Sequence, residues 1–121
     1  DNSELQSIEE RAFSYSNIEE INIPQHVSII AEDAFSLCKN LEHVNIPDNS
    51  ELRSIEEYAF SYSNIKEINI PPHVSIIGKN VFSWCRNLEM IEISENSELQ
   101  SNDFATCKLM IPFIKKKSII L

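Results

Sequence analysis

The stretch SELQSIEERAFSYSNIEEINIP, residues 3–24, recurs almost unchanged as SELRSIEEYAFSYSNIKEINIP, residues 50–71. The segment that follows also repeats, since HVSIIAEDAFSLCKNLEHVNIP at residues 26–47 is matched by HVSIIGKNVFSWCRNLEMIEIS at residues 73–94. When the chain is shifted by about 47 positions, about two thirds of the residues are identical. Self-similarity at a fixed period indicates a repeat architecture.

Each of these units is itself double. The first copy runs from Leu5 through Phe13 to Pro24, and the same order of apolar residues starts again at Val27, Leu52 and Val74. The true period is therefore 22–25 residues, which lies in the range of leucine-rich repeats.

The pattern within one copy predicts a short strand and a stacked core. Ile21-Asn22-Ile23 alternates apolar and polar residues, as a strand with one buried face does. Pro24 then ends the strand, because proline cannot donate to the ladder. One coil cannot bury its own apolar face, so it stacks on the next coil. We expect one internal spine of aromatic rings from Phe13, Phe35, Phe60, Phe82 and Phe104.

The segment AFSLCKNLEHVNIP, residues 34–47, followed elsewhere by HVSII, resembles the BspA-like, or treponemal, class of leucine-rich repeat. The resemblance extends from Leu5 to Cys107, with serine in place of the usual cysteine at positions 16 and 63. It implies a right-handed leucine-rich-repeat solenoid of about four to five coils. A parallel strand ladder should line one face, with short strands or turns on the other.

The whole chain, residues 1–121, is predicted to be one solenoid domain. Good repeats occupy residues 3–96, a degenerate last coil 97–112 and an irregular tail 113–121, whose run Lys115–Lys117 reads as solvated. Residues 1–4 resemble residues 48–51, and solenoids need capping repeats, so we expect the chain to derive from a longer array.

Composition excludes several classes of function. A net charge of −9 repels phosphate backbones, so no nucleic-acid partner is expected. No apolar run approaches the roughly 18 residues of a membrane span, so this segment should not insert into a bilayer. A single glycine, Gly78, cannot build a phosphate-cradling loop. No cofactor is therefore expected.

Most of the cysteines, histidines and paired glutamates occur at the spacing of the repeat, and they show no spacing typical of a catalytic or metal site. Cys38, Cys85 and Cys107 recur at the spacing of the repeat and are predicted to be buried thiols, although Cys85 and Cys107 fall in neighbouring coils within reach of a disulfide. His26, His43 and His73 have no ligand partner at metal-binding spacing, so no metal site is predicted. Paired glutamates recur on a solvated face, and no catalytic residue is assigned.

Two exposed surfaces could bind a partner. The first is the outward row of the main strands on the concave face: Glu20, Asn22, His43, Asn45, Glu67, Asn69, Met90 and Glu92. The second lies two residues after each spine phenylalanine and comprises Tyr15, Leu37, Tyr62 and Trp84. Aromatic residues are favoured as interface anchors, but these side chains could equally pack on the turns that carry them.

The family resemblance implies a non-catalytic module that binds a protein or an extended polymer. Proteins of the class it resembles are typically adhesins or surface antigens of mucosal bacteria and protozoan parasites, which contact host proteins or other cells. A cell-surface or secreted location follows from the same resemblance. The alternatives are a cytoplasmic leucine-rich-repeat scaffold and a spacer segment of a longer array. The oligomeric state is not predicted.

Overall fold

The computed structural model describes residues 5–97, Leu99 and the strand Phe113–Lys117. This part of the chain contains nine β-strands and no helix. The strands are β1 Ser7–Ile8, β2 Glu20–Asn22, β3 Ile29–Ile30, β4 His43–Asn45, β5 Ser54–Ile55, β6 Glu67–Ile70, β7 Ile76–Ile77, β8 Met90–Ser94 and β9 Phe113–Lys117.

Every strand pair is parallel. Each of the first four coils contributes one two-residue strand and one longer strand. The two-residue strands β1, β3, β5 and β7 form a continuous sheet, which we call the narrow sheet. The longer strands, which we call the front strands, form two separate ladders, β2–β4 and β6–β8–β9. Coils one to four correspond to residues 5–26, 27–51, 52–73 and 74–97. The predicted leucine-rich-repeat solenoid is thus confirmed.

Alternating side chains explain why the front strands form where they do. In β6, Glu67 and Asn69 are exposed while Ile68 and Ile70 are buried, and β8 repeats the alternation. The inward side chains join the repeat anchors in one apolar cluster that runs through all four coils. Burial of this cluster is the main force that holds each coil to the next.

The third side of each coil, which we call the turn side, consists of tight turns rather than strands. In coil one the N–H of Ala12 donates to the carbonyl of Glu9 (3.0 Å), which closes a four-residue turn. The N–H of Phe13 donates to Ala34 of the next coil (2.8 Å), and this bond recurs between the later coils. The turn side is therefore hydrogen-bonded from coil to coil, as a sheet would be.

The predicted aromatic spine lies just inside the turn side. The rings of Phe13 and Phe35 stack at 5.2 Å, those of Phe35 and Phe60 at 5.2 Å and those of Phe60 and Phe82 at 6.0 Å between centroids. The three later rings are fully buried, whereas Phe13, in the first described coil, is 37% exposed. The spine is confirmed over these four coils, while Phe104 lies outside the described residues.

Gly78 lies where two coils approach most closely. A Cβ atom at this position would come within 2.5 Å of the Glu57 backbone nitrogen. A residue with a side chain would therefore clash with the backbone of the preceding coil at this position, directly after Ile76-Ile77.

The expectation of an irregular tail from residue 113 is wrong for residues 113–117. These residues form β9, which pairs in parallel with β8 so that Met90 lies opposite Phe113 and Glu92 opposite Lys115. The free edge of β8 offers unpaired backbone groups, and backbone pairing does not require an alternating sequence. The backbone of the lysine run is therefore paired in a strand. Leu99 is buried, as its place in the repeat predicts. Of the degenerate coil, residues 98 and 100–112 lie outside the described residues.

Candidate binding surfaces

The register of the front strands aligns the residues predicted for the concave face. Within the first ladder, Glu20 lies opposite His43 and Asn22 opposite Asn45. Within the second, Glu67 lies opposite Met90 and Asn69 opposite Glu92. The result is two parallel rows of outward side chains, which together we call the front face.

Asn45 cross-links the first ladder through its side chain. Its amide nitrogen donates to the Glu20 carboxylate and to the Asn22 amide oxygen, both at 2.8 Å. A carboxylate can only accept a hydrogen bond, so the atom facing Glu20 must be the nitrogen. With both N–H groups engaged, Asn45 presents only its amide oxygen to further partners.

The front strands are interrupted between coils two and three. Among the described residues no ladder bond joins β4 to β6, although β3 pairs normally with β5 beside them. The turn side also stays bonded across this junction, since Phe35 donates to the carbonyl of Ala59 (2.8 Å). The interruption is therefore confined to the front. The repeat is longer at this junction, with 25 residues from Val27 to Leu52 against 22 from Leu5 to Val27, but its length does not indicate which ladder opens.

A shallow depression of about 150 Å³ opens at the interruption. The side chains of Glu67 and Asn69 make no hydrogen bond with any other described residue. The lining is mostly polar and comprises His43, Val44, Asn45, Glu67, Ile68, Asn69 and Glu92. The depression thus combines two carboxylates with amide groups whose hydrogen-bonding capacity is not used up within the fold.

The front face is acidic in its first four coils. Its outward residues on β2, β4, β6 and β8 include three glutamates and no lysine or arginine. In the strand register, Lys115 of β9 lies opposite Glu92. Together with a net charge of −9, this arrangement disfavours anionic ligands over the first four coils.

The second predicted surface, the aromatic row, is formed by Tyr15, Leu37, Tyr62 and Trp84. Leu37 is half-buried, but Tyr15, Tyr62 and Trp84 are 74%, 44% and 50% exposed. The rings of Tyr62 and Trp84 stack at 5.9 Å, and the Arg86 guanidinium lies 5.5 Å from the Trp84 ring. The rings therefore pack partly on each other and remain accessible to solvent.

All four residues of the aromatic row have a left-handed backbone conformation. Their φ angles are 65°, 58°, 63° and 60°, in a region that glycine adopts freely and that costs other residues about 1 kcal/mol or more. A second position in each turn shares the conformation, occupied by Arg11, Asp33, Tyr58 and Asn80. Asp33 and Asn80 were the available signal in the sequence, because aspartate and asparagine tolerate this region best.

The cysteines and histidines do not form a reactive site in the described residues. Cys38 is a buried free thiol whose Sγ donates to the Phe13 carbonyl (3.0 Å), and burial raises its pKa. Cys85 is buried in the same way and bonds to the carbonyl of Phe60 (3.1 Å). These thiols are buried as predicted; pairing with Cys107 lies outside the described residues. His26 Nδ1 lies 2.7 Å from the Glu51 carboxylate, in an exposed hydrogen bond. Within the described chain no group of three or more His, Cys, Asp or Glu side chains could hold a metal ion.

Stacked coils with one front strand each, a phenylalanine spine and a repeat of 22–25 residues define a leucine-rich-repeat solenoid. More specifically, the chain belongs to the family of the BspA type leucine rich repeat region, whose model matches residues 6–120 in six copies. The match extends past Cys107, where the resemblance visible in the sequence ended, and so includes β9.

Solved structures support the same assignment. The pneumococcal vaccine antigen PcpA is 28% identical over 78% of this chain and 25% of its own, with a TM-score of 0.71. A leucine rich cell surface protein from Faecalibacterium prausnitzii is 29% identical over 77% of this chain and 30% of its own, with a TM-score of 0.65. A leucine-rich repeat protein from Bacteroides capillosus is 35% identical over 73% of this chain and 62% of its own, also at 0.65.

This chain thus spans less than two thirds of each of these proteins. None of the curated proteins compared with it matches significantly. The chain is a leucine-rich-repeat domain of a kind found in bacterial surface proteins, and such domains generally bind proteins. The described residues contain no helix long and apolar enough to cross a bilayer.

Proposed function

We propose that the chain is a non-catalytic protein-binding segment of a cell-surface or secreted protein, and that it contacts host proteins or other cells through its front face. The observation that carries the proposal is the pair of outward rows, which the two parallel ladders hold at about 4.8 Å between paired strands. A preformed and extended surface of this kind loses little conformational entropy on binding.

The comparisons support the location. One similar protein is a vaccine antigen, and another is a cell surface protein. The location is tested with antibodies raised against the purified chain and applied to intact and to lysed cells of the source organism. We expect labelling of intact cells or recovery of the protein from the medium. Labelling that requires lysis would indicate the alternative, an intracellular scaffold.

Charge reversal on the front face tests the binding surface. We expect the combined substitutions Glu20→Lys, Glu67→Lys and Glu92→Lys to abolish adhesion of the purified chain to a cell or matrix surface, because they invert the charge of both rows. The melting temperature should change little, since Glu20 and Glu67 are exposed and Glu92 is half-buried.

The matched control is the combination Glu9→Lys, Glu10→Lys and Glu56→Lys, which changes net charge equally but lies outside the front strands. Adhesion should survive in this control. Equal loss in both sets would show that only net charge matters and would remove the front face from the proposal. Unchanged adhesion in both sets would favour a spacer role or the second surface.

The aromatic row is the second candidate surface. Large exposed rings at left-handed positions are unusual, because glycine would fit these turns without strain. Strain retained at a surface position is a reason to look for function there. If adhesion depends on this row, Tyr62→Gly together with Trp84→Gly should abolish it while the front-face triple substitution leaves it intact.

A further inference from the structure

The interruption between β4 and β6 differs chemically from the first ladder, β2–β4. On the first ladder, Asn45 donates to Glu20 and Asn22, so these polar groups satisfy one another. No equivalent side-chain bond crosses from Asn45 to Asn69 among the described residues. Hydrogen-bonding capacity that is used between coils one and two is therefore left open between coils two and three.

The open capacity is mainly that of acceptors. Asn45 has spent both of its N–H groups and can offer only its amide oxygen. Glu67 and Glu92 are acceptors alone when ionised, and both line the depression. Asn69 also lines it and adds one acceptor oxygen and two N–H donors. A ligand that fits such a lining must bring several donors and positive charge.

Arginine meets both requirements better than lysine. Its guanidinium carries five N–H donors in a planar fork that can engage two or three acceptors at once, whereas the lysine ammonium acts as a compact point charge. A paired guanidinium–carboxylate contact is also among the stronger hydrogen bonds that proteins make. The depression extends across β4, β6 and β8, so a long side chain could lie along it.

We infer that the depression between β4 and β6 receives an arginine side chain from an extended, basic segment of a partner protein. This inference rests on the proposed function, because it names the partner chemistry of the front face. The extended segment lies over the front strands, where the outward residues of coils one to four carry no lysine or arginine to repel it. Glu67 is the central contact, since it lies on β6, the middle of the three strands that line the depression.

Peptide binding to the purified chain tests this inference. The probes are fluorescently labelled hexa-arginine and hexa-lysine, with affinity measured by fluorescence anisotropy at about 0.15 M ionic strength. We expect hexa-arginine to bind more tightly than hexa-lysine. Glu67→Gln should weaken hexa-arginine binding by about tenfold or more, the scale of a lost charge-assisted contact. Glu56→Gln is the matched control, with the same charge change outside the front strands, and should alter the affinity less than about twofold.

Three results would overturn the inference. Equal weakening by Glu67→Gln and Glu56→Gln would mean that the peptide responds to net charge alone. Equal or tighter binding of hexa-lysine would show that the depression does not select arginine. Displacement of hexa-arginine by neutral dextran at comparable concentration would point to a hydroxyl-rich polymer as the occupant.

The outcomes separate this inference from the proposed function. Suppose that Glu67→Gln leaves peptide binding unchanged while the front-face triple substitution still abolishes adhesion. The arginine site in the depression is then contradicted, and the front face is still supported as the binding surface. If Glu67→Gln abolishes peptide binding but intact cells are not labelled, the arginine site is supported and the cell-surface location is contradicted.

Discussion

Phe60 is fully buried in the spine, and its ring stacks on both Phe35 and Phe82. Replacing it with alanine should leave a cavity between two neighbours that cannot collapse. We expect Phe60→Ala to lower the free energy of unfolding by about 3–5 kcal/mol, measured by urea denaturation. Phe13→Ala is the control and should cost clearly less, since that ring contacts one neighbour and is partly exposed. Similar losses at both positions would contradict the assigned register of the spine.

Tyr62 separates backbone strain from side-chain contact. Both Tyr62→Ala and Tyr62→Gly lose the stacking on Trp84, but only glycine adopts a φ of 63° without strain. We expect the glycine variant to be more stable than the alanine variant by about 1 kcal/mol in thermal unfolding. This order reverses the usual penalty of glycine, so an alanine variant that is equally or more stable would show that the left-handed turn is not present.

At the scale of strands, the interruption of the front ladder predicts uneven local stability. Amide groups at the β4–β6 junction lack the partners that their equivalents have between β2 and β4. We expect hydrogen exchange to be faster in β4 and β6 at this junction than in β3 and β5, which cross it as a paired ladder. Uniform protection across both sets of strands would show that the front ladder is closed in solution.

The elements also show where a sequence stops being informative. The spine and the front rows follow from periodicity, because each inward or outward position repeats every coil and burial decides it. β9 was missed because Lys115–Lys117 lacks alternation, and its pairing comes from the free edge of β8. The left-handed turns were missed because residues such as Tyr15 and Trp84 do not favour that conformation locally. The coil-to-coil hydrogen bonds impose it on them.

The interruption between β4 and β6 is a different kind of omission. Coils one and two and coils three and four come from one duplicated unit, so the repeat pattern predicts that the junction between coils one and two matches the one between coils three and four. It does not predict the junction between coils two and three, where the repeat is 25 residues long instead of 22. Whether neighbouring strands approach closely enough to bond depends on how whole coils stack. That is a property of three sides of the solenoid together, which no single repeat encodes. The proposed arginine site in the depression therefore follows from the structure alone, whereas the sequence already predicted the surface that contains it.

For the molecule as a whole, a net charge of −9 predicts opposite effects of salt on folding and on binding. Like charges repel in the compact state, so salt that screens them should raise the melting temperature, with a gain of no more than about 1 kcal/mol for such exposed groups. The same negative charges attract a basic partner. The affinity should therefore fall as the Debye length shrinks from about 30 Å at 0.01 M to about 8 Å at 0.15 M.

Both quantities can be measured on one sample, by calorimetry and by anisotropy with hexa-arginine across the same salt series. The front-face triple substitution supplies the comparison, because each Glu→Lys change adds two positive units and so removes most of the net negative charge. In that variant both salt effects should shrink together. A melting temperature that falls with salt would mean that attraction between opposite charges outweighs repulsion in this fold. An affinity insensitive to salt would mean that the partner is held by apolar contact, which would shift the binding surface from the front face to the aromatic row.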